Sequence, residues 1–413
     1  MRRKWFLKAR RWYLLVPGLA LVMVACQEAP DTSGEVEPEE AVGRLVSIGG
    51  GLSSDNEAVY GEILAGREGE GPVCVLPTAG ANPEGSMERA VDRIDRWGGE
   101  GTARGILIST EAPERAQDPE VAAEIRECSG FFFTGGVQSR IVDVFLPDGE
   151  VTPAYEALME RFREGAVVAG SSAGAAMMSD PMIAGGSSDG AFHDGAGPEG
   201  GVRVTPGMGF ITTAVMDQHF LARGRIGRLL VAVLDDPAID VGFGIDEDTA
   251  LVLEGSLAWV AGASGVILVD GTNAEAGGQT PAHGRGLRVE LLGAGDTLDL
   301  RDLSVSPGSG KTPVAEIVLG EEEGVVPDEP VSPADGFFER WVFLHRLHAL
   351  AGDGAGEVTS EEEGHLIRIQ ADPELRALAY PNVGVRGTPF GLSVGPLLVE
   401  IEPANGENGA ARD

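Results

Sequence analysis

The sequence predicts an α/β protein, a three-layer sandwich in which helices cover both faces of a mostly parallel sheet. From residue 44 onward, short apolar runs alternate with segments of helical periodicity, which is typical of parallel sheets buried on both faces. Glycine-rich loops follow several of the apolar runs. The apolar content of 43% is ordinary for a globular chain that buries a sizeable core.

The elements of the first half follow from these patterns. Strands with their following loops are indicated in LVSIGGG, VCVLPTAG, GILIST, FFFTGGVQ and VVAGSSAG. Helices are indicated in AVYGEILAG, MERAVDRIDRWG, VAAEIREC, PAYEALMERFREG and the residues from Ala175. Ligands of such sheets bind beyond the carboxyl ends of the strands. The glycine loops should therefore converge on a site at one edge of the sheet.

The second half is predicted to be richer in β structure. Residues 181–206 are Gly-rich and read as loop, whereas MDQHFLARGRIGRLLVAVLDD begins extended and passes into a helix. Strands and turns are indicated in VGFGIDEDTALVLEG, LAWVAGASGVILVDG and RVELLGAGDTLDLRDL. Beyond about residue 305, Pro, Gly and acidic residues precede a helix in FFERWVFLHRLHALAG and short strands in HLIRIQ and PLLVEIEP.

Four segments are predicted from this survey. Residues 1–25 form a signal peptide, 26–43 a flexible linker rich in Glu, Pro, Ser and Thr, and 44–305 the α/β domain. Residues 306–413 form a small C-terminal appendix of unknown role. No internal repeat is evident.

The first 26 residues are typical of an export signal. A basic start precedes an apolar run from Trp12 to Ala25, which is too short to span a bilayer comfortably. The run ends in LVMVAC, which resembles a bacterial lipobox with Met23 where leucine is commoner. We expect a lipoprotein anchored to the membrane through Cys26, on the periplasmic or cell-surface side. The alternatives are a secreted form and an uncleaved anchor.

Composition excludes several classes of function. The formal net charge is -34, and six of the 31 basic residues lie in the first eleven positions, so nucleic acid is an improbable partner. Beyond those positions Lys311 is the sole lysine, which disfavours Schiff-base chemistry. Cys74 and Cys128 read as small buried hydrophobic residues, and the cysteines have no metal-binding spacing. We expect no cofactor and no metal; a homodimer is compatible with the sequence.

The stretch VVAGSSAGAAMM suggests a nucleophile elbow, in which a serine stands on a strained turn between strand and helix. The alternative is a glycine-rich strand-to-helix connection without a catalytic role. A nucleophile elbow would need a base and an acid elsewhere in the chain. His219 is the best base, because polar residues cluster around it at a strand-to-helix junction. His193 remains open. The acid could be Asp246, Glu247 or Asp248, which follow a strand.

Four blocks together resemble the cyanophycinase branch of the serine peptidases, which also include the aspartyl dipeptidase peptidase E. They are FFFTGGVQSR, AGSSAGAAM, VMDQHFLARGRIGRL and GIDEDTAL, in the family's order over roughly residues 44–300. The resemblance implies a flavodoxin-like or class I glutamine amidotransferase-like fold. It implies Ser172 as nucleophile, His219 as base and Glu247 as the orienting acid. Substrate-pocket residues of the family fall on Gln138, Asp217, Gln218, Arg223, Arg225 and Arg228.

The expected chemistry is acyl transfer to water. An oxyanion would be stabilised by the backbone N–H of Ala173 and one from the Gly135–Gly136 loop, where Gly136 lets the backbone approach closely. Arginines would bind the carboxylate of a β-Asp-Arg polymer, and Asp217 could bind its guanidinium. Family members often have Asp or Asn at the position of Val137.

Two other functions are compatible with the sequence. One is an exported peptidase or isopeptidase with a different peptide substrate, because a storage polymer is normally intracellular. The other is a catalytically silent lipoprotein that binds a ligand in the same cleft. The intact serine, histidine and glutamate argue against the second.

Overall fold

A nine-stranded mixed sheet with helices on both faces contains strands from between residues 45 and 306 of the chain. The computed structural model describes residues 43–277, 283–313, 335–340, 342–352, 356–379 and 392–404. The predicted signal peptide, Cys26 and the linker up to residue 42 lie outside the described residues. No helix within the described ranges is long and apolar enough to span a membrane.

The strands are short, and most are buried. In chain order they are β1 (Leu45–Ile48), β2 (Val73–Leu76), β3 (Ala103–Gly105), β4 (Gly130–Phe133), β5 (Val167–Ser171), β6 (Met182–Gly186), β7 (Ala196–Gly197), β8 (Val202–Thr205), β9 (Val215–Gln218), β10 (Val241–Ile245), β11 (Thr249–Glu254), β12 (Leu257–Gly262), β13 (Gly265–Asp270), β14 (Glu275–Ala276), β15 (Gly284–Gly293), β16 (Thr297–Asp299), β17 (Ser304–Ser306), β18 (Thr312–Pro313), β19 (Glu357–Glu362), β20 (His365–Ala379) and β21 (Ser393–Pro403).

The helices begin mostly at polar caps or prolines. They are α1 (Glu57–Ala65), α2 (Pro83–Gly98), α3 (Pro119–Arg126), α4 (Gln138–Phe145), α5 (Pro153–Arg163), α6 (Ala173–Ala176), α7 (Ser188–Asp194), α8 (Ile226–Asp235) and α9 (Val342–Gly352). Asn56, Asn82, Asp118 and Thr152 cap α1, α2, α3 and α5 through their side chains. Such caps satisfy N–H groups that the first turn leaves without partners.

The first sheet has the strand order β17-β16-β12-β11-β1-β5-β4-β2-β3. Strands β1 to β5 in this sheet pair in parallel, and β11, β12, β16 and β17 continue it in antiparallel pairs. This arrangement confirms the predicted α/β sandwich of the flavodoxin-like type.

Both faces of the parallel part are apolar, because alternate side chains of a strand point to opposite faces. In β5, Val167 and Ala169 pack in the cluster with α1 and α2, and Val168 packs in the cluster with α3, α4 and α5. All three side chains are fully buried. Helices therefore cover the sheet on both sides, as the alternating pattern predicts.

A second sheet, in the order β18-β20-β21-β15-β13-β10-β9, carries the second half. Strands β9 and β10 are parallel, and the other adjacent strands on this path are antiparallel. Strands β20 and β21 come from residues 306–413, which the sequence suggested as a small appendix. Their apolar side chains share one core with α8 and α9. The tail thus supplies four strands, β18 to β21, to the sheet that begins at β9, and one helix to its core.

A buried ion pair fixes this tail. Lys311 donates to Asp296 at 2.5 Å and to Ser393 at 3.0 Å, and both charged side chains are fully buried. The same carboxylate accepts from the N–H groups of Gly293 and Gly308, each at 2.8 Å. Burial lowers the pKa of Lys311, and Asp296 opposes that shift. These hydrogen bonds offset the cost of removing two charges from water.

Several elements differ from the sequence prediction. Strand β3 ends at Gly105, so most of GILIST is not a strand, and helix α4 was not predicted. Residues 181–206, predicted as loop, contain α7 and a three-stranded sheet in the order β6-β8-β7. These strands are short and interrupted by glycine, so they give no periodicity that a sequence pattern can detect.

Cys74 and Cys128 form a disulfide bond. The prediction that they are buried is confirmed, since both are fully inaccessible, but the interpretation as unpaired hydrophobic residues was wrong. Cys74 lies in β2 and Cys128 follows α3, with 54 residues between them in sequence. Strand β2 pairs with β4, which begins at Gly130, and this pairing brings the two cysteines together.

We expect replacement of both cysteines by alanine to lower the free energy of unfolding by about 2–4 kcal/mol, because the bond restricts the unfolded chain. Denaturant titration of the double variant Cys74→Ala/Cys128→Ala measures this. Cys26→Ala is the control and should unfold at the wild-type midpoint. A double variant with that same midpoint would contradict a stabilising bond, as would reactive thiols at Cys74 and Cys128 in the denatured, unreduced wild type.

Candidate active site

Ser172 stands on a strained turn at the carboxyl end of β5. Its φ of +57° and ψ of -109° are costly for a residue with a side chain. Its N–H donates to the Ile48 carbonyl at 2.9 Å, and helix α6 begins at the next residue. The predicted elbow geometry is therefore present, with the hydroxyl held between a strand and a helix N-terminus.

His219 follows β9 and meets this hydroxyl. Its Nε2 lies 2.9 Å from Ser172 Oγ, and its Nδ1 lies 2.5 Å from Glu247 Oε1. The histidine is 8% exposed and also has a positive φ, of +49°. The structure thus brings together, as a hydrogen-bonded chain, the three residues that the resemblance singled out.

The three acids after β10 have separate partners. Glu247 contacts His219, whereas Asp246 is buried and accepts from the Ala222 N–H at 3.0 Å and Ser264 Oγ at 2.7 Å. Burial is the main cause that raises the pKa of Asp246 to about 6. Asp248 instead accepts from the Ser53 N–H at 2.8 Å and from the side chain of Asn56. Spacing left this choice open; the geometry assigns the histidine contact to Glu247.

The backbone at the end of β1 is hydrogen-bonded to each of the three segments that carry Ser172, His219 and the acids after β10. The Ile48 carbonyl accepts from Ser172, the Gly49 carbonyl accepts from His219 at 2.6 Å, and the Gly50 carbonyl accepts from Asp248 at 2.8 Å. A Cβ on Gly49 would lie 2.0 Å from the Asp246 carbonyl, and one on Gly50 would lie 2.2 Å from the His219 ring. The glycine loop is therefore required by close approach of the backbone to the site.

The environment of His219 favours the neutral imidazole. Burial is the largest cause that lowers its pKa, and the positive charges of Arg223 and Arg225 lower it further. The hydrogen bond and the charge of Glu247 act in the opposite direction. A neutral imidazole can accept the proton of Ser172, which is what a general base requires.

The residues suggested for an oxyanion hole lie around the elbow. Ala173 is the first residue of α6, and Gly136, with a φ of +150°, is in the loop after β4. A Cβ on the adjacent Gly135 would lie 3.3 Å from the Cβ of Ser172. The loop therefore passes close to the hydroxyl. Val137 is 44% exposed and begins α4 without a side-chain cap, a position where Asp or Asn would supply one.

Two of the residues suggested for substrate binding are engaged with each other. Arg228 donates through Nε to Asp217 at 2.7 Å and through Nη2 to its other oxygen, and both residues are buried. The remaining Arg228 nitrogen, Nη1, donates to the Gly186 carbonyl at 2.7 Å. This bidentate pair leaves Asp217 without an exposed oxygen for a ligand, contrary to the expectation that it could bind a guanidinium.

The other suggested residues are distributed around the serine. Gln218 Oε1 lies 3.4 Å from Ser172 Oγ. Gln138 is buried and donates to the Ile183 carbonyl at 2.9 Å. Arg225 is half-buried and donates to the Gln218 carbonyl at 2.5 Å, and its pKa falls to about 10, chiefly through burial. Arg223 is exposed.

A cavity of about 280 Å³ contains the last two arginines. Its lining residues are Gly186, Ser187, Ser188, Asp189, Arg223, Gly224, Arg225 and Phe338. Asp189, which sequence reasoning missed, is the exposed acid of this cavity. It lies in a segment that reads as loop, so no pattern pointed to it.

The remaining histidines with described side chains lie elsewhere. His193, which the sequence left open, pairs with Glu363 at 2.6 Å on the surface. His365 is buried against the Phe192 ring. The side chains of His345 and His348 lie outside the described residues. Among the described residues, no group of His, Cys, Asp and Glu has the arrangement of a metal site.

Comparisons with known proteins find several relatives of this chain. No protein-family model matches the chain. The chain is 34% identical over 289 residues to the cyanophycinase of Trichormus variabilis, spanning 66% of this chain and 91% of that protein. It is 32% identical over 233 residues to the cyanophycinase of Geminocystis herdmanii, spanning 54% and 80% respectively. A solved peptidase structure from an acI-B1 Actinobacterium aligns with 21% identity, 63% and 98% coverage and a TM-score of 0.46.

We expect Arg223→Gln to raise the pKa of His219, because the variant removes a positive charge that disfavours the imidazolium. Titration of ¹³C-labelled histidines by NMR measures this, with the His219 signal assigned from a His219→Gln variant. The wild-type midpoint should lie below 6.5.

The matched control is Arg126→Gln. Arg126 ends α3 and forms an exposed ion pair with Glu160 of α5, so this variant removes an equal charge at another place. It should leave the His219 midpoint unchanged. An unchanged midpoint in Arg223→Gln, or a shift of equal size in both variants, would show that Arg223 does not act on this imidazole.

Proposed function

Because the chain belongs to the cyanophycinase family, we propose that it is a serine-type peptidase that hydrolyses β-Asp-Arg polymer or related aspartyl peptides. One observation carries the proposal. The Ser172 hydroxyl lies 2.9 Å from a buried histidine whose other ring nitrogen contacts a carboxylate. That arrangement supplies a nucleophile, a base and the group that orients the base.

The proposed reaction has two steps. His219 takes the proton of Ser172 as Oγ attacks the scissile carbonyl, and then gives that proton to the leaving amine. Water, deprotonated by the same histidine, hydrolyses the acyl-enzyme, and the proton returns to the serine. Glu247 fixes the tautomer of His219 and stabilises the imidazolium. The N–H groups of Ala173 and Gly136 would stabilise the oxyanion by a few kcal/mol.

The charges near the serine support an ionic peptide substrate. Each unit of β-Asp-Arg polymer offers a carboxylate and a guanidinium. Arg223 and Asp189 line one cavity and are both exposed, so they can bind groups of opposite charge. The Asp217–Arg228 pair is assigned a positioning role, since it joins the strand before His219 to helix α8.

A second candidate is an exported peptidase or isopeptidase with another acidic substrate. The Cys74–Cys128 disulfide favours it, because such bonds persist in oxidising compartments and are rare in the cytosol. The exposed Val137, at a position where the family often has a polar residue, also favours a changed specificity. A silent ligand-binding protein has less support, because it would have no use for the strained turn at Ser172, a feature that is typical of functional sites.

We expect the purified protein to release soluble products from β-Asp-Arg polymer, and Ser172→Ala to reduce that rate by about 10⁴-fold or more. Mass spectrometry identifies the products. Ser256→Ala, in the turn between β11 and β12, is the control and should retain the wild-type rate. A fluorophosphonate probe should label the wild type and not Ser172→Ala.

The outcomes separate the candidates. Equal polymer turnover by wild type and Ser172→Ala would exclude Ser172 as nucleophile. Serine labelling together with cleavage of other aspartyl peptides, but not of the polymer, would select the second candidate. Absence of both labelling and turnover would reject the peptidase proposal.

We also propose that the chain is exported and anchored through a lipid on Cys26. The basic and apolar order of the leader and the LVMVAC sequence support this, and the disulfide is consistent with it. In a bacterial host, the mature N-terminal peptide should begin at Cys26 and carry the mass of a lipid. Cys26→Ser should abolish that mass and the association with membranes. A lipid-free N-terminus in the wild type would reject the anchor.

A further inference from the structure

A second cavity, of about 400 Å³, adjoins the nucleophile on the face of the first sheet that α1 and α2 cover. Its lining residues are Gly51, Leu52, Tyr60, Ser86, Arg89, Ala90, Arg93, Ile94, Phe132, Thr134, Gly135 and Ser171. It shares no lining residue with the cavity around Arg223. No residue that the sequence suggested for substrate binding lines it.

Ser172 does not itself line the cavity, but two of the lining residues are its neighbours. Ser171 immediately precedes Ser172 at the end of β5. A Cβ on Gly135 would lie 3.3 Å from the Cβ of Ser172 and 3.8 Å from its Oγ. A ligand in this cavity would therefore lie next to the nucleophile.

Two arginines give the cavity its charge. Arg89 and Arg93 are four residues apart on α2, so they lie on one face of the helix and repel each other. Neither forms an ion pair within the described residues, although the chain has 65 acidic residues against 31 basic ones. Arg89 donates to Ser86 Oγ and Arg93 to the Leu52 carbonyl, each at 3.3 Å, and Arg93 also interacts with the Tyr60 hydroxyl. Most of their donors remain available to an anion.

A buried hydroxyl provides an independent indication of a ligand. Thr134 is 6% exposed, and its Oγ1 has no hydrogen-bond partner within the described structure. Leaving such a group without a partner costs about 1–3 kcal/mol. Thr134 lines the cavity and follows β4 at the loop that leads to Gly135. A bound polar group would satisfy this hydroxyl.

We propose that this cavity binds a carboxylate of an acidic peptide substrate, through Arg89, Arg93 and the Thr134 hydroxyl. The inference rests on the proposed function for its substrate class. Guanidinium groups bind carboxylates by charge-assisted, often bidentate hydrogen bonds, and a hydroxyl adds one further donor. An anion bound between the two arginines would offset their repulsion. The substrate is then held beside Ser172 through a contact separate from Arg223 and Asp189.

The test measures binding without turnover, in the Ser172→Ala background, by isothermal titration calorimetry. The probe is the two-unit fragment (β-Asp-Arg)₂, with its carboxylates either all free or all amidated. Arg93→Gln and Arg89→Gln should each weaken binding of the free-acid probe by about tenfold or more. Their effect on the amidated probe should be much smaller, because that probe lacks the charge that the arginines bind.

Two further variants serve as controls. Arg126→Gln removes a charge from α3, on the opposite face of the first sheet, and should leave both affinities unchanged. Thr134→Val removes the hydroxyl and keeps the shape, and should weaken binding of the free-acid probe. A purely structural Thr134 would instead give unchanged affinity and a higher thermal midpoint, since the variant removes a buried polar group without a partner.

The outcomes distinguish this inference from the proposed function. Unchanged binding of the free-acid probe in both arginine variants would overturn the carboxylate site, and so would an equal loss for both probes. Arginine-dependent binding by a protein that hydrolyses no aspartyl peptide would support the site and reject the peptidase. If the protein hydrolyses the polymer and both arginine variants bind the free-acid probe with wild-type affinity, the peptidase proposal stands and the carboxylate site is rejected.

Discussion

The site depends on one short stretch of backbone at the end of β1. Three successive carbonyls, of Ile48, Gly49 and Gly50, accept hydrogen bonds from Ser172, His219 and Asp248. These partners come from regions far apart in the sequence, and the last adjoins Glu247. Each hydrogen bond contributes little to stability by itself, but together the three fix the relative positions of the loops that carry Ser172, His219 and Glu247. A shift of β1 by one residue would displace all three from their positions.

That backbone also connects the two sheets. Strand β1 belongs to the first sheet, whereas β9 and β10, which end just before His219 and Asp246, are parallel neighbours in the second. The second sheet is completed by β20 and β21, whose apolar residues pack in one core with α8. Residues from the tail therefore support the strands that present the histidine and the glutamate. This is a structural contribution of a region whose sequence shows no motif.

Much of the site could be predicted because its signals are local. The small residues around Ser172 indicate a tight turn, and the alternating pattern before and after it indicates a strand and a helix. The choice of Glu247 over its acidic neighbours could not be made from spacing, because it depends on the partners of those neighbours in the fold. The Ala222 N–H and the Ser264 hydroxyl donate to Asp246, and the Asn56 side chain donates to Asp248. The Cys74–Cys128 bond is likewise invisible in sequence, because β2 and β4 bring the cysteines together only in the folded sheet.

The arginines of this chain differ in whether the fold gives them an ion-pair partner. In a chain this acidic, an arginine is expected to pair with a nearby carboxylate, and Arg228 does so with Asp217. Arg228 lies in the segment that resembles the substrate-binding segment of the family, but its guanidinium already donates to Asp217 and to the Gly186 carbonyl. Arg89 and Arg93 lie on a helix whose sequence predicts only an amphipathic surface, and they have no ion pair in the described structure. Which arginines can bind substrate is thus decided by the partners they already have, and that information exists only in the fold.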